Sequence, residues 1–136
     1  MKKIFLMITL VLLVLAACSN KNADITGEWK LVSYGAASNP TPAVQNVDTS
    51  IKFEANGNMG GNVGCNSFGG NYDISADTIA FNSIVSTMMF CEAISAQESA
   101  VLGIFSDNMK LPVQLNGDTL TITSANGESS VTLARK

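Results

Sequence analysis

The chain has 136 residues, a formal charge of −3 and no histidine. Without histidine, Ser-His-Asp and Cys-His nucleophile pairs are excluded, and the commonest zinc ligand and general base is missing. Eight basic residues face eleven acidic ones and form no sizeable cluster, so nucleic acid is not expected as a partner.

The amino end reads as a targeting segment and is set apart from the fold. Lys2 and Lys3 precede an apolar run from Ile4 to Val14, short of the ~20 residues that span a bilayer. The run ends in Leu15-Ala16-Ala17-Cys18, a pattern that resembles a bacterial lipobox. Residues 1–17 are then a signal peptide, and the Cys18 thiol takes a diacylglyceryl group while its new amino group is acylated. Residues 18–24 would form a short lipidated tether. Several acyl chains, each adding ~0.8 kcal/mol per buried methylene, would hold the protein on a membrane. Ser19 rather than Asp after the cysteine resembles an outer-membrane sorting signal facing the periplasm. An ordinary signal peptide or a single membrane anchor is the alternative. Loss of Lys2 and Lys3 leaves six basic and eleven acidic residues, a formal charge of −5.

One domain is expected from residue 25 to residue 136. Gly27 to Tyr34 alternates Trp29 and Leu31 against Glu28 and Lys30, a strand pattern with the single tryptophan as a core plug. Gly35 to Val47, with Pro40 and Pro42, reads as a surface loop. Thr49 to Ala55 alternates again, and Asn56-Gly57 signals a hairpin back into Asn58 to Val63. Thr78 to Ser83 is a further strand and Val85 to Phe90 a short one. Glu92 to Asp107 changes period: Ile94, Val101 and Phe105 share a stripe with Ile104 at its edge, which predicts the one helix. Gln97 and Glu98 intrude beside that stripe, and Glu98 reads as an edge or capping carboxylate. Met109 to Leu115, Thr119 to Ser124 and Ser129 to Ala134, joined at Asn116-Gly117 and Asn126-Gly127, predict a β-meander. Seven or eight strands with one helix give an α+β fold, a curved, barrel-like antiparallel sheet with one packed helix.

The stretch from Gly60 to Tyr72 is dense in glycine and asparagine, yet carries Cys65, Phe68 and Tyr72. Such backbone suggests bulges and tight bends packed down by a few large side chains. With Cys18 lipidated, Cys65 and Cys91 remain as an even pair in an oxidising compartment, which predicts a disulfide. Closing that loop would stabilise by ~3 kcal/mol on the chain-entropy model. Two buried free thiols are the alternative; a redox pair lacks Cys-x-x-Cys spacing and a metal site lacks further ligands.

Val63 to Tyr72, reading Gly-Cys-Asn, an aromatic, Gly and Asn-Tyr, together with Ser86 to Cys91 and the opening Gly-x-Trp-x-Leu, resembles the META domain family of HslJ-like envelope proteins. Phe90 stands where that family usually has a small residue. The resemblance implies the same curved sheet with a packed helix. It marks Gly64, Asn66, Phe68, Gly69, Asn71, Tyr72, Thr87 and Met88 as signature positions that shape the fold or line a binding surface. It also implies association with heat-shock response and antibiotic tolerance, with no assigned chemistry. A non-enzymatic envelope lipoprotein that binds an envelope protein partner is therefore expected, without cofactor or metal. The alternatives are a carrier of a small apolar ligand inside the curled sheet and an inhibitor that presents the loop Gly35 to Val47 to a hydrolase. Asp73 and Asp77 are the carboxylates weighed for acid–base chemistry, but they lie in a turn beside polar residues, where a solvated loop is the common explanation.

Overall fold

A computed structural model describes residues 22–136; the signal segment, the lipobox and Cys18 lie outside the described residues. The elements in order are β1 (Gly27–Ala36), β2 (Thr41–Pro42), β3 (Ser50–Phe53), β4 (Asn58–Asn62), β5 (Ser67–Ser75) and β6 (Thr78–Ser86). A 3-10 turn at Glu92–Ile94 then runs into α1 (Ser95–Phe105), followed by β7 (Leu111–Asn116), β8 (Thr119–Thr123) and β9 (Ser129–Arg135). All neighbours are antiparallel, and β1 pairs with both β3 and β9, so eight strands close into a barrel. The two-residue β2 lies outside it on β1.

Local chemistry explains most of this. The alternating strands point Ile51 and Phe53, Ile79 and Phe81, Leu120 and Ile122, Val131 and Leu133 inward, all of them buried, as period-2 patterning requires. Asn-Gly and Gly-Asp turns fit the positive φ of Gly57, Gly117 and Gly127. In β1 the register slips between Leu31 and Ser33. That bulge exposes Val32 and lets Tyr34 follow Trp29 and Leu31 into the core. The bulge carbonyl of Val32 accepts from Ala43 N–H at 2.9 Å, which is why part of the expected loop 35–47 is held down as β2.

Three sequence expectations are corrected. The glycine-rich signature is not a bend throughout: from Ser67 onward it is a regular nine-residue strand pairing with both β4 and β6. The two pieces predicted at Thr78 to Ser83 and Val85 to Phe90 are one strand ending at Ser86. Thr87 to Cys91 is an irregular strap, because its backbone leaves the sheet to cross toward the helix. The helix proper begins at Ser95, three residues after the predicted start, since Glu92–Ile94 is wound as a 3-10 turn.

The core is continuous. Trp29 is fully buried; its indole N–H donates to Ile25 O at 2.8 Å, and the Arg135 guanidinium lies 4.3 Å from its ring centre. α1 covers one mouth of the barrel with the stripe Ile94, Val101, Ile104 and Phe105. Phe105 sits between Phe68 (5.4 Å between ring centres) and Phe81 (5.0 Å), so it joins the helix to β5 and β6. Phe105→Ala is expected to lower unfolding stability by about 3–5 kcal/mol, read as a shifted denaturation midpoint in urea.

Candidate functional site

The signature residues meet where α1, the β4–β5 connection and the strap converge. Gly64 leads in with φ +135°. A Cβ there would lie 2.8 Å from Ile94 Cδ1 and 3.0 Å from Val47 Cγ1, so the backbone favours glycine and a larger residue would also have to push those two side chains aside. Gly61, just before it, would place a Cβ 1.8 Å from Ser50 O, and only glycine lets β4 approach β3 that closely. Cys65 and Cys91 are joined as a disulfide with Cα atoms 6.3 Å apart, as the cysteine count predicts.

Asn66 is the hub, and every polar atom of its amide is used. Its Oδ1 accepts from Thr87 Oγ1 at 2.8 Å and from Met89 N–H at 2.7 Å. Its Nδ2 donates to Met89 O at 2.9 Å and to Glu98 Oε2 at 2.9 Å. Thr87 in turn accepts through Oγ1 from Ser67 N–H at 3.1 Å. Asn66 therefore pins the strap to the start of β5 the way a strand ladder would, using one side chain.

Glu98, read from sequence as an edge carboxylate, is buried. Its Oε1 accepts from the backbone N–H groups of Cys65, at 3.0 Å, and Asn66, and its Oε2 from the Asn66 amide. Its neighbour Gln97 is also fully buried, donating to Val63 O at 2.7 Å and accepting from Val44 N–H at 2.8 Å. The stripe of α1 facing the barrel thus contains two polar side chains because the irregular backbone at 63–66 and 44 has no ladder partner of its own. Sequence reasoning noted both beside the stripe but missed their burial and their backbone partners. The available signal was two adjacent polar residues on an apolar face beside a glycine-rich segment that needs partners.

The other signature residues are placed as follows. Phe68 is in the core. Gly69 pairs with Gly60 and Val85 in ordinary space. Asn71 donates through Nδ2 to Asn58 Oδ1 at 2.8 Å. Tyr72 packs its ring edge-on to Phe53 at 5.0 Å, and its hydroxyl donates to Glu54 O at 2.8 Å. Asn71 and Tyr72 therefore belong to the β3–β4 hairpin and not to the Asn66 hub. Met88 is 95% exposed and Phe90 83% exposed, so Phe90 does not pack beside Cys91. With Met89 and Val85, also exposed, they form an apolar strip in front of the hub. A cleft of about 380 Å³ opens between this strap and the Ser99 and Leu102 side of α1. Asp73 lies on the far half of β5 and Asp77 on the β5–β6 turn, away from the hub. Among the described residues no group of three His, Cys, Asp or Glu side chains converges as a metal site.

Glu98→Ala leaves three donors without a partner and is expected to cost at least ~3 kcal/mol of stability. Glu98→Gln, which keeps one acceptor oxygen, should cost roughly half as much; equal losses in denaturant titrations would show that the carboxylate is not the connection. Burial of the Tyr72 phenol raises its pKa above the ordinary 10.0, so its neutral form supports the fold and that support is lost as pH rises past the folded value. The stability gap between the wild type and Tyr72→Phe should therefore be about 1 kcal/mol near neutrality and shrink above pH 10.

A search of curated proteins returns no match. Among solved structures, the chain is similar to a protein from Burkholderia xenovorans determined by NMR, with TM-score 0.64 and 21% identity over 81% of each chain. A second NMR structure matches with TM-score 0.60 and 19% identity, covering 79% of this chain and 87% of the other. A DUF4847 family protein from Bacteroides vulgatus matches with TM-score 0.57 and 15% identity, covering 82% and 93%. At these identities the likeness is one of fold. The META domain model, in contrast, matches residues 23–136, which includes the hub, the strap and the meander; the chain belongs to the META domain family.

Proposed function

We propose that the protein is a lipid-anchored bacterial envelope lipoprotein whose META domain is a non-enzymatic binding module. The observation that carries this reading is the contrast between interior and rim. The barrel is filled by its own side chains, with Trp29, Phe53, Phe81, Phe105, Leu120 and Leu133 each under 2% exposed. The rim beside the hub instead displays Val85, Met88, Met89 and Phe90 to solvent on a backbone held by a disulfide and the Asn66 bonds. A monomeric soluble surface rarely groups apolar side chains in this way without a binding role.

The same filled interior weighs against a carrier, which would keep a lined cavity for its ligand. The loop 35–47 is a weaker platform for a hydrolase inhibitor than its composition suggests, because Ala43 N–H bonds Val32 O and Val44 N–H bonds Gln97 Oε1. Anchorage at Cys18, by the lipobox, would put the domain on the outer membrane facing the periplasm. A role in envelope stress or antibiotic tolerance follows from the family resemblance.

Intact mass of the protein purified in detergent from a bacterial host tests this reading. The expected mass lacks residues 1–17, carries acyl chains on Cys18 and is two hydrogens lighter than the dithiol. A native spectrum with a retained apolar adduct would instead establish a carrier, and an unmodified Cys18 would remove the anchor.

A further inference from the structure

The barrel closes poorly at one seam. β6 and β7 are paired only at Thr78–Pro112 and Ile79–Leu111, because β7 starts at Leu111, where the chain returns from α1. Beyond that point β6 continues to Ser86 with β5 on one side. On its other side, among the described residues, no strand pairs with Asn82 to Ser86. A bulge opposite Gly70, with Ser83 at φ +55°, interrupts the ladder where this outer half of β6 begins. Alternate N–H and C=O groups of the run therefore face outward with no strand to meet them.

Sheet edges of this kind are usually protected by charge, proline or a covering element. This one has neither charge nor proline. From Asn82 to Cys91 the sequence is Asn-Ser-Ile-Val-Ser-Thr-Met-Met-Phe-Cys, and Val85 is 70% exposed. The cleft between the strap and α1 begins at Ser86 and Thr87, so it continues the line of the open edge. An edge with free backbone groups selects another extended backbone, while flanking apolar side chains and the cleft select alternate side chains of that backbone.

The chain's own geometry decides among occupants. Asn22 Oδ1 accepts from Ala76 N–H at 2.8 Å, which fixes the start of the domain at the β5–β6 turn. The open run begins at Asn82 and ends at Ser86, roughly 13 to 26 Å along β6 from Thr78 at ~3.3 Å per residue. Lipid offers no N–H or C=O groups to a sheet edge, and open edges are not left in hydrocarbon, so the anchoring bilayer does not satisfy the run. An extended polypeptide does, and a run without charge favours an uncharged one.

We propose that the outer edge of β6, from Asn82 to Ser86, with the adjoining Met88–Phe90 strap, takes up an extended, uncharged segment of a partner protein as an added strand. This rests on the partner-binding reading above and names the surface and chemistry of the partner. Peptide binding does not need the acyl chains, so loss of the anchor and loss of strand addition register in different measurements.

The test is selection from a phage-displayed library of random twelve-residue peptides on the full mature chain in detergent, with its disulfide intact. The expected outcome is an enriched family of uncharged peptides alternating β-branched or aromatic residues. A synthetic member should bind in fluorescence anisotropy and slow hydrogen exchange of amides between Asn82 and Ser86. Val85→Lys, an exposed position where folding should be retained, should weaken binding at least tenfold with an unchanged melting temperature, and Met88→Ser with Phe90→Ser should weaken it separately. No enriched family, a charged family, or binding indifferent to Val85→Lys would overturn the proposal. So would a dimer in sedimentation that Val85→Lys dissolves, which would assign the edge to a second copy, or recruitment of the protein to phosphatidylglycerol vesicles that Met88→Ser with Phe90→Ser abolishes.

Discussion

A buried carboxylate with no cation beside it organises this end of the molecule. Glu98 meets two backbone N–H groups and one amide, and among the described residues no lysine or arginine pairs with it. An isolated buried charge is costly, and those three bonds offset that cost. Hydrogen bonds to a charged group contribute ~1.5–3 kcal/mol each, which makes the cluster comparable with the burial of an aromatic side chain such as Phe105. The helix is thus fixed to the barrel by Phe105 between β5 and β6, by Glu98 at the β4–β5 connection and by Gln97 at Val63 and Val44. Replacing one of these contacts leaves the others, and the loss should show as a looser helix before it shows as an unfolded barrel.

From Glu98 the constraint passes to Asn66 and from there to the strap. The amide of Asn66 makes four hydrogen bonds to three residues on two segments, the strap and α1, and the neighbouring Cys65–Cys91 bond ties the β4–β5 connection to the end of the strap covalently. The disulfide limits the unfolded chain, by ~3 kcal/mol in the entropy model, whereas the amide bonds set the native conformation of Thr87 to Met89. These contributions are of different kinds and do not substitute for one another. Reduction should leave the strap in place but the fold less stable, and loss of the amide should free the strap within an intact loop. The exposed Met88 and Phe90 are therefore presented in a fixed arrangement, not as a mobile tip, which lowers the conformational cost of ordering on contact.

How much of this was legible follows from how local each cause is. The hairpins at Asn56-Gly57 and Asn126-Gly127 were readable because two residues determine the turn. The helix was readable because Ile94, Val101 and Phe105 recur at helical spacing where strand alternation stops, and Trp29 because a lone tryptophan on an alternating strand has few other uses. The disulfide needed only counting and a compartment. Closure of β1 on β9 was legible only as curvature, since the pairing of Trp29 with Arg135 joins the two ends of the domain and leaves no mark in either strand. β5 was hidden by its own composition: Gly69, Gly70 and Asn71 are poor strand formers, and they are held extended by β4 and β6 on both sides. Glu98 was misplaced for the related reason that its partners are backbone groups, which carry no residue type to read.

The filled interior and the incomplete seam are connected. A barrel of eight strands can be filled by its side chains or hold one small ligand, and here large side chains from β1, β3, β6, α1 and the meander fill it. A filled interior leaves recognition to the surface. What remains is the pole where α1 replaces strand pairing as the cover for β5 and β6. Feeding the helix back into β7 at Leu111 consumes the chain that would have completed the seam, so the open half of β6 is a consequence of inserting one helix between two strands of a barrel. The strap that carries Met88 to Phe90 is the start of that same insertion. The exposed apolar side chains and the unpaired edge therefore arise from one topological choice and lie together for that reason.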